Sequence, residues 1–212
     1  MKIALIGASG FVGSAILNEA VSRGHSVTAI MRDVSKVAAH PQVTTVAVDA
    51  QDPQALADVL KGHDRVISAY NPGWSTPDIH DQYLKGASAI VEAANATHSW
   101  LLVVGGAGSL EIAPGVQLVD TPDFPAEWKQ GALAARDGLT ALRRETTLDW
   151  RFVSPPVFLE PGEKRGGYRL GGDQVLFSGD NPAGITVGDL ADGVLNEAET
   201  PAHLRQRFTL GY

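Results

Sequence analysis

MKIALIGASGFVGSAILNEAVSRG, residues 1–24, decides the fold. Lys2–Ile6 is a short apolar run, rich in Ile and Leu and ended by Gly7, which is the pattern of a buried parallel strand. Gly7, Gly10 and Gly13 follow at GxxGxxG spacing. Ile16, Leu17, Ala20 and Val21 then repeat at helical spacing, and Gly24 is placed to stop the helix. The order is strand, tight glycine turn, helix. Backbone without Cβ atoms lets a pyrophosphate approach, and the free N–H groups of a helix start point at it. The other reading is that the glycines serve only helix–strand packing. The strand-to-helix context favours a dinucleotide site.

Composition narrows the choice. The chain has 212 residues, 44% hydrophobic and 19% charged, enough for one sizeable core. One domain over 1–212 is expected, with a substrate-side insertion at 157–182. The net charge is −7 and no Lys/Arg cluster appears, so nucleic acid is not an expected partner. With no Cys, disulfides and thiolate chemistry are excluded. The six His lie far apart without HxxxH or HxH spacing, so no metal site is expected. Met1 runs straight into the first strand, and no apolar run of about 18 residues occurs. A cytoplasmic protein that does not enter the membrane is the expectation, as monomer or homodimer.

The rest of the chain alternates. His25–Met31 and Val43–Val48 read as strands two and three. Arg32, Asp33 and Lys36 follow the second strand, where nicotinamide enzymes read the adenosine ribose. Arg32 suits a 2′-phosphate and Lys36 adds a second cation, so NADP(H) is preferred to NAD(H). Asp33 can instead cap the short helix that follows. Asp49 and Ala50 end the third strand, where Asp49 either caps a turn or contacts adenine. Asp52 and Pro53 open a helix over Leu56, Val59 and Leu60, stopped by Gly62.

Arg65–Ala69 is a fourth strand, leading into Tyr70–Trp74, and Thr76-Pro77 start a long helix. Trp100–Val104 is a fifth, breaking into Gly105–Ser109. An irregular segment runs to about Pro125, and a helix from there to about Glu145. Asp149–Val153 is a sixth strand, ending in Ser154-Pro155-Pro156. Residues 157–182 are turn-rich, with short strands such as Val175–Phe177. Thr186-Val-Gly-Asp189 reads as a capping box for a last helix, and Arg207–Leu210 as a final strand. This alternation predicts an α/β fold, a Rossmann-type doubly wound parallel sheet with a small C-terminal lobe. Ligands bind such sheets outside the carboxyl ends of the strands.

The whole chain resembles atypical short-chain dehydrogenase/reductases of the NAD(P)H-binding, NmrA-like subgroup. GASGFVG, IMRDVSK, VDAQDP, LLVVGGAGSL, DWRFVSPPVFLEPGEKRGGYRLGGD and ITVGDLADGVLNE carry the resemblance. Members are often labelled NADH–flavin reductase or NAD-dependent epimerase/dehydratase-like. The resemblance implies a dinucleotide held by Gly7, Ala8, Ser9, Gly10, Phe11, Val12 and Gly13, with Arg32 at the ribose. It also implies Asp49 with Ala50 near adenine, Ala69 and Tyr70 beside the ribose, and Gly105 with Pro155, Pro156 and Val157 toward the nicotinamide.

One departure bears on activity. The wider superfamily uses Tyr-x-x-x-Lys, a phenol acid with a lysine that lowers its pKa. None of the four Tyr here has Lys four residues later. Ser109 and Lys129 are the remaining candidates for a polar group at the reacting end. Two readings stay open. A reductase can pass hydride to a flavin or quinone, whose reduced form takes its proton from solvent. A redox sensor would bind the nucleotide and catalyse nothing. The extra loops of 157–182 favour the enzyme. Trp74, Phe124, Trp128 and Phe158 supply either an aromatic wall for a planar acceptor or plain core packing.

Overall fold

The computed structural model describes residues 1–212. In chain order the elements are β1 (Lys2–Ile6), α1 (Phe11–Ser22), β2 (Ser26–Met31), β3 (Val43–Ala47), α2 (Pro53–Leu60), β4 (Arg65–Ser68), α3 (Ile79–Ala96), β5 (Trp100–Val104), β6 (Glu111–Ala113) and β7 (Val116–Gln117). They continue with α4 (Ala126–Leu142), β8 (Asp149–Ser154), β9 (Phe158–Glu160), β10 (Arg169–Gly171), β11 (Phe177–Ser178), β12 (Asn181–Pro182), β13 (Gly184–Thr186), α5 (Val187–Glu199) and β14 (Gln206–Gly211).

An eight-stranded sheet runs β10–β14–β8–β5–β4–β1–β2–β3. Every neighbouring pair is parallel except β10–β14. Strand order steps outward from β1 in both directions, so the topological switch point lies between β1 and β4. This is the doubly wound α/β architecture that the alternation predicts.

Period-two burial of β1 explains the two layers. Ile3 and Leu5 pack with Ile16, Leu17 and Ala20 of α1 and with Leu190, Val194 and Leu195 of α5. Ala4 and Ile6 face the other way, against Leu56 and Leu60 of α2, Ile90 of α3 and Leu139 of α4. A strand buried on both faces must be apolar throughout, as KIALI is after Lys2.

Several boundaries differ from the sequence reading. The long helix starts at Ile79 rather than Thr76-Pro77, because Thr76 closes a turn, its amide on the Gly73 carbonyl and its hydroxyl on that of Pro72. A residue before proline also avoids the helical region. Helix α4 ends at Leu142, and Arg143–Glu145 form a turn. The strand expected at Val175–Phe177 lies at Phe177–Ser178, while Val175 donates its amide to Glu111. Thr186 caps α5 by accepting the Asp189 amide at 3.2 Å, but the box is half-formed. The Asp189 carboxylate turns instead to the amides of Arg165 (3.0 Å) and Gly166 (2.8 Å) and to the Tyr212 hydroxyl (2.5 Å). No helix is long and apolar enough to cross a membrane.

Candidate nucleotide and acceptor site

The glycines after β1 divide by role. Gly7 has φ 80°, and a Cβ there would lie 2.6 Å from the Ala69 carbonyl oxygen. A Cβ on Gly13 would overlap the Gly7 carbonyl. Both glycines are therefore required by the protein's own packing, where α1 and β4 close onto the turn. Gly10 is different. Its φ is −77°, and a Cβ would meet only the Gly7 carbonyl oxygen, at 3.4 Å. Gly10 is the N-cap of α1, no side chain caps the helix, and Ser9, Gly10 and Phe11 are exposed. The first-turn amides lack intrahelical acceptors. An uncapped helix start, kept bare by a glycine that packing does not demand, fits an anionic pyrophosphate. Ala8 is buried beneath the turn and Val12 is half-buried beside it.

The ends of β2 and β3 carry the residues expected on the adenosine side. Arg32 and Lys36 are exposed, and neither has an ion-pair partner within the protein. Asp33 caps the turn Val34–Lys36 through Ser35. Asp49 accepts the Gln51 amide at 3.0 Å, and Ala50 is buried under that turn.

The ends of β4, β5 and β8 form the other half. The Tyr70 ring lies over Gly86 of α3; its hydroxyl donates to the Gln82 carbonyl at 3.0 Å and accepts from Gln51 Nε2 at 3.4 Å. Gly105 lies on the Phe152 ring, where a Cβ would collide. Pro155 and Pro156 are buried and Val157 is half-buried.

Ser109 is buried and receives an Arg207 N–H at 3.3 Å. Lys129 is half-buried in the first turn of α4, and no hydrogen bond joins it to Ser109. Burial pushes the Tyr70 phenol above its ordinary value, that of Tyr83 to about 12, and Tyr168 upward as well. None of these three is poised to give up a proton near neutrality. The suspected wall is largely solvent-facing: Trp74 is 61% exposed, Trp128 54% and Phe158 52%, while Phe124 is half-buried. Core packing therefore does not account for the first three.

A family model described as NAD(P)H-binding matches residues 7–201. The chain belongs to this NAD(P)H-binding family. The match begins at Gly7, the first glycine of the turn. Over 214 aligned residues this NAD(P)H-binding chain is 40% identical to the uncharacterized protein YwnB of Bacillus subtilis, covering 99% of this chain and 98% of the relative. A crystal structure described as a proposed epimerase from Bacteroides thetaiotaomicron superposes with a TM-score of 0.93 at 40% identity, over 100% of this chain and 96% of the other. A proposed NADH–flavin reductase from Streptococcus pneumoniae gives 0.89 at 40% identity, over 100% and 99%.

Two features of this NAD(P)H-binding fold escape the sequence reading. Arg207 of β14 is buried and uses all its N–H groups. Nε donates to Asp173 Oδ1 at 2.7 Å, Nη1 to the hydroxyls of Ser109 and Ser154 at 3.3 Å each, and Nη2 to the carbonyls of Asp173 (3.1 Å) and Ser109 (3.4 Å). Burial lowers the guanidinium pKa, and Asp173 opposes that. Arg207 thus ties Ser109, past the end of β5, and Ser154, at the end of β8, to Asp173 in the loop after β10. The available signal was a charged residue inside the apolar run RFTL. The second feature is Gly131, inside α4. Its signal was a glycine where the helical pattern needs none.

Proposed function

We propose that the protein is an NADPH-dependent reductase that passes hydride to a planar, conjugated acceptor of the flavin or quinone type. The observation carrying this reading is the bare, uncapped start of α1 at Gly10, on a fold of the NAD(P)H-binding family. Gly7–Gly13 would hold the pyrophosphate through backbone amides, and Arg32 with Lys36 would favour a 2′-phosphate. Asp49 and Ala50 would border the adenine, Ala69 and Tyr70 the second ribose, and Gly105 with Pro155–Val157 the nicotinamide. Bound NADPH supplies the hydride.

The chain's own groups bind, orient and exclude water. None of Tyr70, Tyr83 and Tyr168 is poised as an acid, and the Ser109 oxygen is held by Arg207. An acceptor that takes its proton from solvent suits such a site, whereas a ketone needs a proton as its alkoxide forms. The solved relative named as a proposed NADH–flavin reductase supports the same acceptor class. The single unit over 1–212, with 157–182 as its acceptor-side insertion, belongs to this reading, as does a cytoplasmic site of action.

The test is NADPH oxidation with FMN, FAD, a benzoquinone and several aldehydes and ketones at several pH values. Turnover of flavin or quinone, weakly dependent on pH and without carbonyl turnover, is expected. Ketone turnover with a basic limb would reveal an acid, with Lys129 and Ser109 the first to mutate. Tight NADPH binding with no turnover would make the protein a nucleotide sensor.

A further inference from the structure

We propose that Trp74 and Trp128 form the seat of a planar, conjugated acceptor ring, and that Gly131 shapes it; this rests on the reductase reading. The chain has four Trp. Trp100 and Trp150 are buried in the core, while more than half of the surface of Trp74 and of Trp128 meets solvent. Both lie where an acceptor must arrive. Trp74 is in the loop after β4, beyond its carboxyl end. Trp128 is in the first turn of α4, which runs back from the carboxyl edge of the sheet toward the start of β8. Gly106, just past β5, faces Ala135 of α4, and Gly108 faces Ala132. Trp128 stands one further turn outward, above the strand ends.

Gly131 seats the Trp74 indole on α4, three residues from Trp128. A Cβ there would lie 2.6 Å from Cζ3 of Trp74, 3.2 Å from its Cη2 and 3.3 Å from Cδ1 of Ile79. Trp74 therefore rests in the notch left by the missing side chain, three residues along the helix from Trp128. The backbone does not call for glycine at this position, since its φ is not positive. Apart from proline, glycine is the poorest helix former, so the notch is kept against helix propensity. What it provides is a place for the Trp74 indole about one helical turn along α4 from Trp128. Phe158, exposed on β9, lies past the end of β8. Exposed aromatic faces grip flat conjugated rings by offset stacking, and a small polar substrate would gain nothing from them. The place of both indoles beyond the carboxyl ends of β4 and β5, where such sheets bind small ligands, favours a small ring over a macromolecule as the occupant.

The experiment is calorimetric titration of the full chain, saturated with NADP⁺, with FMN and separately with a naphthoquinone. Trp74→Ala and Trp128→Ala should each weaken ring binding by about tenfold. Gly131→Ala should do the same by displacing Trp74, while its melting temperature stays level or rises because Ala suits a helix better. NADP⁺ affinity should be unchanged in all three. FMN bound far more tightly than the quinone would make the acceptor a flavin; comparable binding would make the seat general for conjugated rings. Unchanged ring affinity in the double tryptophan variant overturns the proposal. So does a wild-type, NADP⁺-loaded protein that takes neither ring. A switch of the variants from dimer to monomer by light scattering, with ring affinity kept, would make this face a subunit interface and also overturn it. If NADP⁺ does not bind but the variants still lose the ring, the seat stands and the reductase reading falls.

Discussion

Asp33 turns its carboxylate onto Ser35, accepting the hydroxyl at 2.6 Å and the amide at 3.1 Å. The Ser35 hydroxyl, then its amide, hold the Asp33 carboxyl below its ordinary value. The acid at the end of β2 is therefore engaged in capping, and the cation beside it is free. Arg32→Ala should weaken NADPH by about 1.5–3 kcal/mol, the range for a charge-assisted bond to phosphate. NADH should lose far less. Titration with both nucleotides checks this; equal losses would remove Arg32 from the 2′ position.

Arg207 should matter more for stability than an exposed arginine does. Its removal strands Ser109 and Ser154 and frees the Asp173 segment from the sheet. Arg207→Met should cost about 2–3 kcal/mol in urea unfolding, as for loss of a buried hydrogen-bonded network. Arg207→Lys should recover only part of that, because one ammonium cannot match a planar fork with five donors.

Asp189 sets an acid limit. Burial pushes its carboxyl up, but hydrogen bonds from Tyr212, the Gly166 and Arg165 amides and Thr186 outweigh it and hold the pKa below its ordinary value. A depressed folded pKa gives stability that is present above the unfolded value, about 3.9, and lost as pH falls through the folded one. Asp189→Asn should therefore be less stable than wild type near pH 7, and the gap should narrow below about pH 4. A gap independent of pH in chemical denaturation would show that the carboxylate's charge is not the source.

The strand–glycine–helix half of the fold was legible because its parts are local. A strand, three glycines, a helix and a basic strand end each leave a mark in consecutive residues. The structure separates the glycines by what each one meets. Gly7 and Gly13 answer to Ala69 and to each other, whereas a Cβ on Gly10 would meet only the Gly7 carbonyl oxygen, at 3.4 Å. The other half was harder, since its contacts join distant segments. Arg207 meets Ser109 across 98 positions and Ser154 across 53. Tyr70 follows β4 as expected, but its ring direction depends on the gap at Gly86, which no pattern near residue 70 reveals. The Trp74–Gly131 notch is hidden for the same reason.

The bare helix start at Gly10 is where the dinucleotide must be held if the protein works as proposed. Gly10 has an extended backbone that valine adopts readily, and its Cβ has room within the protein. The most direct measurement is NADPH titration of wild type and Gly10→Val, with far-UV circular dichroism on both. A dissociation constant raised by more than about tenfold, with the spectrum kept, is predicted. Unchanged NADPH affinity in a folded Gly10→Val variant would contradict the account.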